Sequence, residues 1–214
     1  MEYFIPSIWI TSLLLTFMIS IFTIKLSLRI ISKTKTIDNP NERSNHDTPT
    51  PKGAGIGIIL SFLIIYFIFI PLNDIVFACS ITLLCLISFI NDNKHISIIY
   101  RLLIHIILTL FVLVFWEPLI NLPLIDDIFP KWLGLTIMIL FIIWMTNLYN
   151  FMDGIDGISS VQCIIIGIGV GCCLFLSEDI NKIENIIAGF FVGSGSAFLI
   201  WNWHPAKVFL GDAG

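Results

Sequence analysis

WLGLTIMILFIIWMTNLYNFMDGIDGISSVQCIIIGIGVGCCLFLS, residues 132–177, is the stretch whose reading decides the fold. Two apolar runs, Trp132–Met152 and Gly157–Ser177, flank the DGIDG junction, and Asp153 and Asp156, between them, are the only charges in the stretch. Each run has the roughly 20 residues that a helix needs to cross a bilayer. A pair of carboxylates between two such runs, with the amides Asn147 and Asn150 just before them, marks a site by default, because hydrocarbon tolerates polar clusters poorly.

Moving outward, the 214-residue chain is 57% apolar, only 12% charged, and has a mean hydropathy of +0.97. Soluble domains carry about 25% charged residues, so an all-α polytopic membrane bundle is expected. Seven spans are read: Tyr3–Ile24, Gly53–Asn73, Ile75–Asn91, Leu102–Trp116, Trp132–Met152, Gly157–Ser177 and Asn185–Trp203. The fourth is short and is expected to extend back past Arg101, whose long side chain can snorkel to the interface. The loops are too short for a soluble domain, so residues 1–214 read as a single membrane domain. The first span is not read as a cleaved signal: Glu2 replaces the positive start, and no small-x-small site follows.

Charge sets the orientation. Of eleven Lys and Arg, nine fall on one side: Lys25, Arg29, Lys33, Lys35, Arg43, Lys52, Lys94, Arg101 and Lys207. The positive-inside rule then puts the N-terminus outside and residues 32–52, 91–101, 150–157 and 204–214 in the cytoplasm. The net charge of −4 says little about partners and gives no reason to expect nucleic acid. All five cysteines lie in apolar runs without metal-ligand spacing and read as packing residues. Trp9, Trp116, Trp132, Trp201 and Trp203 read as interfacial anchors and Trp144 as packing.

The cytoplasmic side collects the polar chemistry. The first loop, IDNPNERSNHDTPTPKGAG, is extended and turn-rich and carries Arg43, His46, Thr50 and Lys52. Its glycines at 53, 55 and 57 either open backbone N–H groups to an anion or form a small-residue packing face. The second loop holds Asn91, Asp92, Lys94, His95 and Arg101; the last holds His204, Lys207, Phe209 and Asp212. Carboxylates at an interface suit Mg²⁺, which takes one or two carboxylates plus substrate phosphates. Cations and glycine-rich helix starts suit phosphate oxygens. The residues alone therefore point to metal-assisted phosphoryl transfer on a membrane substrate.

NLYNFMDGIDG, NDNKHIS, NWHPAKVFLGDAG and DNPNERSNHDTPTPKGAG together resemble, in order and spacing, the polyprenyl-phosphate N-acetylhexosamine-1-phosphate transferases, glycosyltransferase family 4. The resemblance covers Asp38–Gly214 and is nearer the O-antigen-priming branch than the phospho-MurNAc-pentapeptide translocases. It implies transfer of a sugar-1-phosphate from a UDP-N-acetylhexosamine to undecaprenyl phosphate, releasing UMP. That step initiates lipid-linked O-antigen or cell-wall polymer synthesis at the cytoplasmic face of the bacterial inner membrane. Mg²⁺ is the implied cofactor, with Mn²⁺ as the alternative, and a homodimer is compatible with it.

Carried over by position, the resemblance makes Asp212 the metal ligand, with Asp92 as its second. Asp92, Asp153 and Asp156 become catalytic residues, with Asn150 and Asp153 contacting the nucleotide-sugar. Phe209 stacks on uracil, and Arg43, His46, Thr50, Lys52 and His204 complete substrate binding. Two departures stand out. Position 91, an aspartate in the family, is Asn91, which cannot take a proton. The family continues with a serine, further helices and a histidine-bearing loop after the position of Gly214. Asp212 is thus expected to sit in a loosely held terminal loop, since terminal loops order only when tied down. The alternative readings are an inactive truncated remnant or assembly partner, and a cation or solute transporter. A CDP-alcohol phosphotransferase is excluded because D-G-x-x-A-R is absent.

Overall fold

The computed structural model describes residues 4–34, 37, 38, 40, 48–70, 75–93, 97–115, 130–176 and 182–213. Seven α-helices and one short β-pair account for most of them. They are α1 (Phe4–Thr34), β1 (Ile37–Asp38), β2 (Thr50–Pro51), α2 (Gly55–Phe69), α3 (Ile75–Asn93), α4 (Ile98–Phe115), α5 (Lys131–Met152), α6 (Ile158–Leu176) and α7 (Lys182–Asn202). β1 and β2 pair antiparallel, with Ile37 opposite Pro51 and Asp38 opposite Thr50.

Five helices are long and apolar enough to cross a membrane, and Gly55–Phe69 and Ile75–Asn91 are shorter apolar helices. Large apolar side chains cover the outside, among them Phe22, Ile98, Phe151 and Phe175. That is the distribution of a bundle solvated by lipid tails, which offer no hydrophobic drive for helices to associate.

Small residues supply the close packing instead. α7 lies against α1, α6 and α2, with Ala188, Gly189, Val192, Gly193, Ser194, Gly195 and Ala197 buried. A Cβ on Gly193 would stand 2.5 Å from the Leu13 carbonyl oxygen, and one on Gly189 2.6 Å from that of Trp9. α1 answers with a stripe of small polar residues, Ser12, Thr16, Ser20, Thr23 and Ser27, all buried. Ser12 Oγ donates to the Ile186 carbonyl at 2.8 Å and Ser20 Oγ to Ser61 Oγ at 2.9 Å. The second face of α7 meets α6, where a Cβ on Gly195 would be 2.9 Å from the Ser160 carbonyl oxygen.

Several boundaries differ from the sequence expectation. α1 runs to Thr34 rather than Ile24. Lys25 and Arg29 end the apolar run but point outward, while Ile24, Ser27 and Ile31 keep the inner face buried. At about 1.5 Å per residue, its 31 residues outrun a hydrocarbon core of about 30 Å, so the last turns serve the polar end of the bundle. α2 begins at Gly55 because Gly53 has a φ of 118°. α4 reaches back to Ile98, past Arg101, as expected. Trp144 is 66% exposed and faces outward, not into the packing. Of the cysteines, Cys85 is buried and Cys163 half-buried, whereas Cys79, Cys172 and Cys173 are exposed on the outside.

Candidate active site at the polar end of the bundle

The ends of α3, α5 and α7 and the starts of α2, α4 and α6 meet at one level, and the segment after α7 threads between them. α7 stops at Asn202, whose buried amide ties two segments together. Its Oδ1 accepts from Ser160 Oγ at 3.0 Å and its Nδ2 donates to the Val208 carbonyl at 3.2 Å. The chain then turns through HPAK, and Val208 and Leu210 enter a core cluster with Ile24, Ala54, Ala197 and Phe198.

The two DGIDG carboxylates grip this segment by its backbone. Asp153 Oδ1 accepts from Ser159 Oγ at 2.9 Å and the Leu210 N–H at 3.1 Å, and Oδ2 accepts from the Gly211 N–H at 2.8 Å. Asp156 Oδ2 accepts from the Ala206 N–H at 3.1 Å and meets His204 Nδ1 at 2.7 Å. From the other side the first loop closes on the same stretch. The Phe209 N–H donates to the Pro51 carbonyl, and the Phe209 carbonyl accepts from the N–H groups of Gly53 and Ala54. The Leu210 carbonyl accepts from the Gly55 N–H. A φ of 76° at Gly211, reached without steric cost only by glycine, turns the chain so that Asp212 faces α3 and α4. There Asp212 Oδ2 accepts from Asn91 Nδ2 at 2.8 Å and from Arg101 Nη1 at 3.1 Å.

These contacts revise several expectations. Asp212 is not in a loose tail, because carboxylates, amides and a β-pair from earlier elements tie its turn down. The N–H groups of Gly53 and Gly55 are spent on carbonyls of that turn, and Gly57 abuts α1, where a Cβ would be 2.6 Å from Ile24 Cα. The packing reading of these glycines therefore holds over the anion reading. Phe209 is 2% exposed, so its ring anchors the turn rather than presenting a face to a base. Asp153 is 6% exposed and accepts three bonds, two of them from the backbone of the turn that carries Asp212. Arg101 pairs with Asp212 instead of snorkelling outward.

Thr50 is buried in the β-pair with its hydroxyl on the Thr48 carbonyl, and Lys52 bridges alongside Phe209. Asn150 is half-buried in the last turn of α5, and His204 stands exposed beside Asp156. Arg43 and His46 lie outside the described residues. So does the side chain of Asp92, whose backbone sits in the last turn of α3. Sequence reasoning missed the Asn91–Asp212–Arg101 contact; no local signal could show it, since the partners lie 121 and 111 positions apart.

Among the described residues no three His, Cys, Asp or Glu side chains converge as a metal cage. Mg²⁺ does not require one, being held by one or two carboxylates with substrate phosphates completing its shell. Asp212, one-fifth exposed, is a carboxylate of that kind. Beyond it, an apolar cavity of about 170 Å³ opens between α3, α4 and α5. His105, one turn past Arg101, lines it together with Leu84, Leu108, Val112 and Ile143.

The protein is thus a bundle of apolar helices with a carboxylate, guanidinium and amide cluster at one end. Residues 74–214 match the family model described as Glycosyl transferase family 4, and the chain belongs to that family. It is 23% identical over 213 residues to a probable undecaprenyl-phosphate N-acetylglucosaminyl 1-phosphate transferase of Bacillus subtilis (strain 168), covering 94% of this chain and 59% of the relative. It is 29% identical over 227 residues to a phospho-N-acetylmuramoyl-pentapeptide-transferase of a Wolbachia from Brugia malayi, covering 97% and 69%. A protein of the same name from Psychrobacter cryohalolentis is 31% identical over 99 residues, 40% of this chain and 27% of its own length. The chain thus spans 59% of the first and 27% of the third of these relatives.

Proposed function

We propose that this protein transfers an N-acetylhexosamine-1-phosphate from a UDP-sugar to a polyprenyl phosphate at the cytoplasmic face of the bacterial inner membrane. The observation that carries the reading is Asp212, held at the polar end of the bundle in a turn clamped by Asp153 and facing the Arg101 guanidinium. In the reaction a lipid-phosphate oxygen forms a bond to the sugar-proximal phosphorus. The bond from that phosphorus to the bridging oxygen breaks, and UMP leaves with the electron pair. The lipid phosphate needs little activation, because a phosphate monoester with a second pKa near 6 is largely dianionic at neutral pH.

Asp212 would hold Mg²⁺, which when bound neutralises the anionic reactants that otherwise repel. Arg101, 28% exposed at the mouth of the site, offers a forked donor to phosphate. The apolar cavity below it suits the first units of a prenyl chain. Asp153 and Asp156 keep the turn in register, and Lys52 and His204 stand at its rim. The product would start a lipid-linked glycan.

The test is UMP release from UDP-N-acetylhexosamine and undecaprenyl phosphate across a Mg²⁺ series, using protein expressed from its complete gene. Turnover should need Mg²⁺ and fall on the order of 10²-fold or more in Asp212→Asn, which removes an anionic oxygen while keeping shape. Full turnover in that variant at limiting Mg²⁺ would sink the metal role.

A further inference from the structure

The Asp212 carboxylate is fixed by two donors from different helices, Asn91 in the last turn of α3 and Arg101 in the first turn of α4. At 2.8 Å from a carboxylate oxygen, only the Nδ2 end of the Asn91 amide places a hydrogen between the two heavy atoms. The contact therefore requires a donor at position 91. An ionised aspartate has only acceptors to offer. Its oxygen would stand against Asp212 Oδ2 at a separation where like charges repel strongly. With asparagine, the described side chains of the cluster pair the Arg101 cation with the Asp212 anion and add a neutral donor.

We infer that Asn91 is a positioning residue: its amide, together with the Arg101 guanidinium, orients the Asp212 carboxylate, and position 91 takes no part in proton abstraction. The inference rests on the transferase reading of the same site. It gives a role to the departure from the family's aspartate at 91, which the resemblance leaves only as a residue that cannot take a proton. Chemistry favours this role, since a dianionic phosphate acceptor needs no base. The amide also links α3, through the turn after α7, to α4, two of the helices that flank the cavity.

Two readouts test it. In the UMP-release assay, Asn91→Asp lowers turnover on the order of 10- to 100-fold, the rate equivalent of losing a hydrogen bond to a charged group. Asn91→Gln, which keeps an amide donor on a longer stem, retains more activity than Asn91→Asp. Equal or higher turnover in Asn91→Asp would overturn the inference and restore the base. The second readout needs no turnover and separates this inference from the transferase reading. A thermal-stability double-mutant cycle on Asn91→Ala and Asp212→Ala in the same purified protein gives non-additive losses when the two side chains are coupled. Additive losses would overturn the inference even if the wild type transfers no sugar phosphate.

Discussion

Asp153 shows how a carboxylate reads differently in a sequence and in a fold. DGIDG is legible as a polar cluster between two spans, and it does mark the site. The target of the carboxylate is not legible, because it is the backbone N–H of residues 57 and 58 positions further on, and any residue type supplies an N–H. Asp153→Asn replaces one acceptor oxygen with a donor that faces another donor. Losing a bond to a charged group inside a buried cluster should cost about 1.5–3 kcal/mol, read as a lower melting temperature in detergent. UMP release should fall on the order of 10²-fold, as when reacting groups move by about 1 Å. Asp156 grips the same segment but is paired with an exposed His204, so Asp156→Asn should be milder by both measures. Equal losses in the two variants would mean that the buried clamp is not what holds the turn.

At the scale of elements, hydropathy located all seven helices, because about 20 apolar residues in a row have few other uses. It misjudged their ends, since a helix ends where its backbone bonds and packing end, not where the apolar run does. α1 continues ten residues past its last expected position, Ile24, with its cations turned outward. Packing was only partly legible. The glycines that open α2 are legible as either an anion-facing helix start or a small-residue face, while the α7 glycines and the α1 serines and threonines carry no signal that the sequence reading uses. Gly193 and Gly169 separate packing from propensity. A side chain at Gly193 collides with α1 backbone, whereas one at Gly169 meets nothing within 4 Å. Gly193→Leu should destabilise the bundle by about 3 kcal/mol, the upper end for overpacking. Gly169→Leu should be neutral or gain a few tenths from helix propensity. Thermal unfolding of the two variants side by side checks this, and similar stabilities would refute the α1–α7 packing.

For the molecule as a whole, the nine-to-two bias of Lys and Arg predicts a cytoplasmic polar end. With the five native cysteines replaced, His204→Cys should react with an impermeant maleimide in inverted membrane vesicles and not in intact spheroplasts. The opposite labelling would turn the bundle over. The α1–α7 contact also has a consequence in time. Ser12 and its partner Ile186 are 174 residues apart, so at roughly 5–20 residues per second the ribosome needs about 9–35 s to make the second after the first. Through that interval the part of α1 that α7 will cover, Ser12 included, waits in the membrane without its partner. Thr23 and Ser27 meet the wait by bonding carbonyls of their own helix, but Ser12 and Ser20 find their cross-helix partners only as later helices arrive. α7 can therefore dock on α1 only after every intervening helix has been made, and the turn carrying Asp212, translated just after α7, follows it.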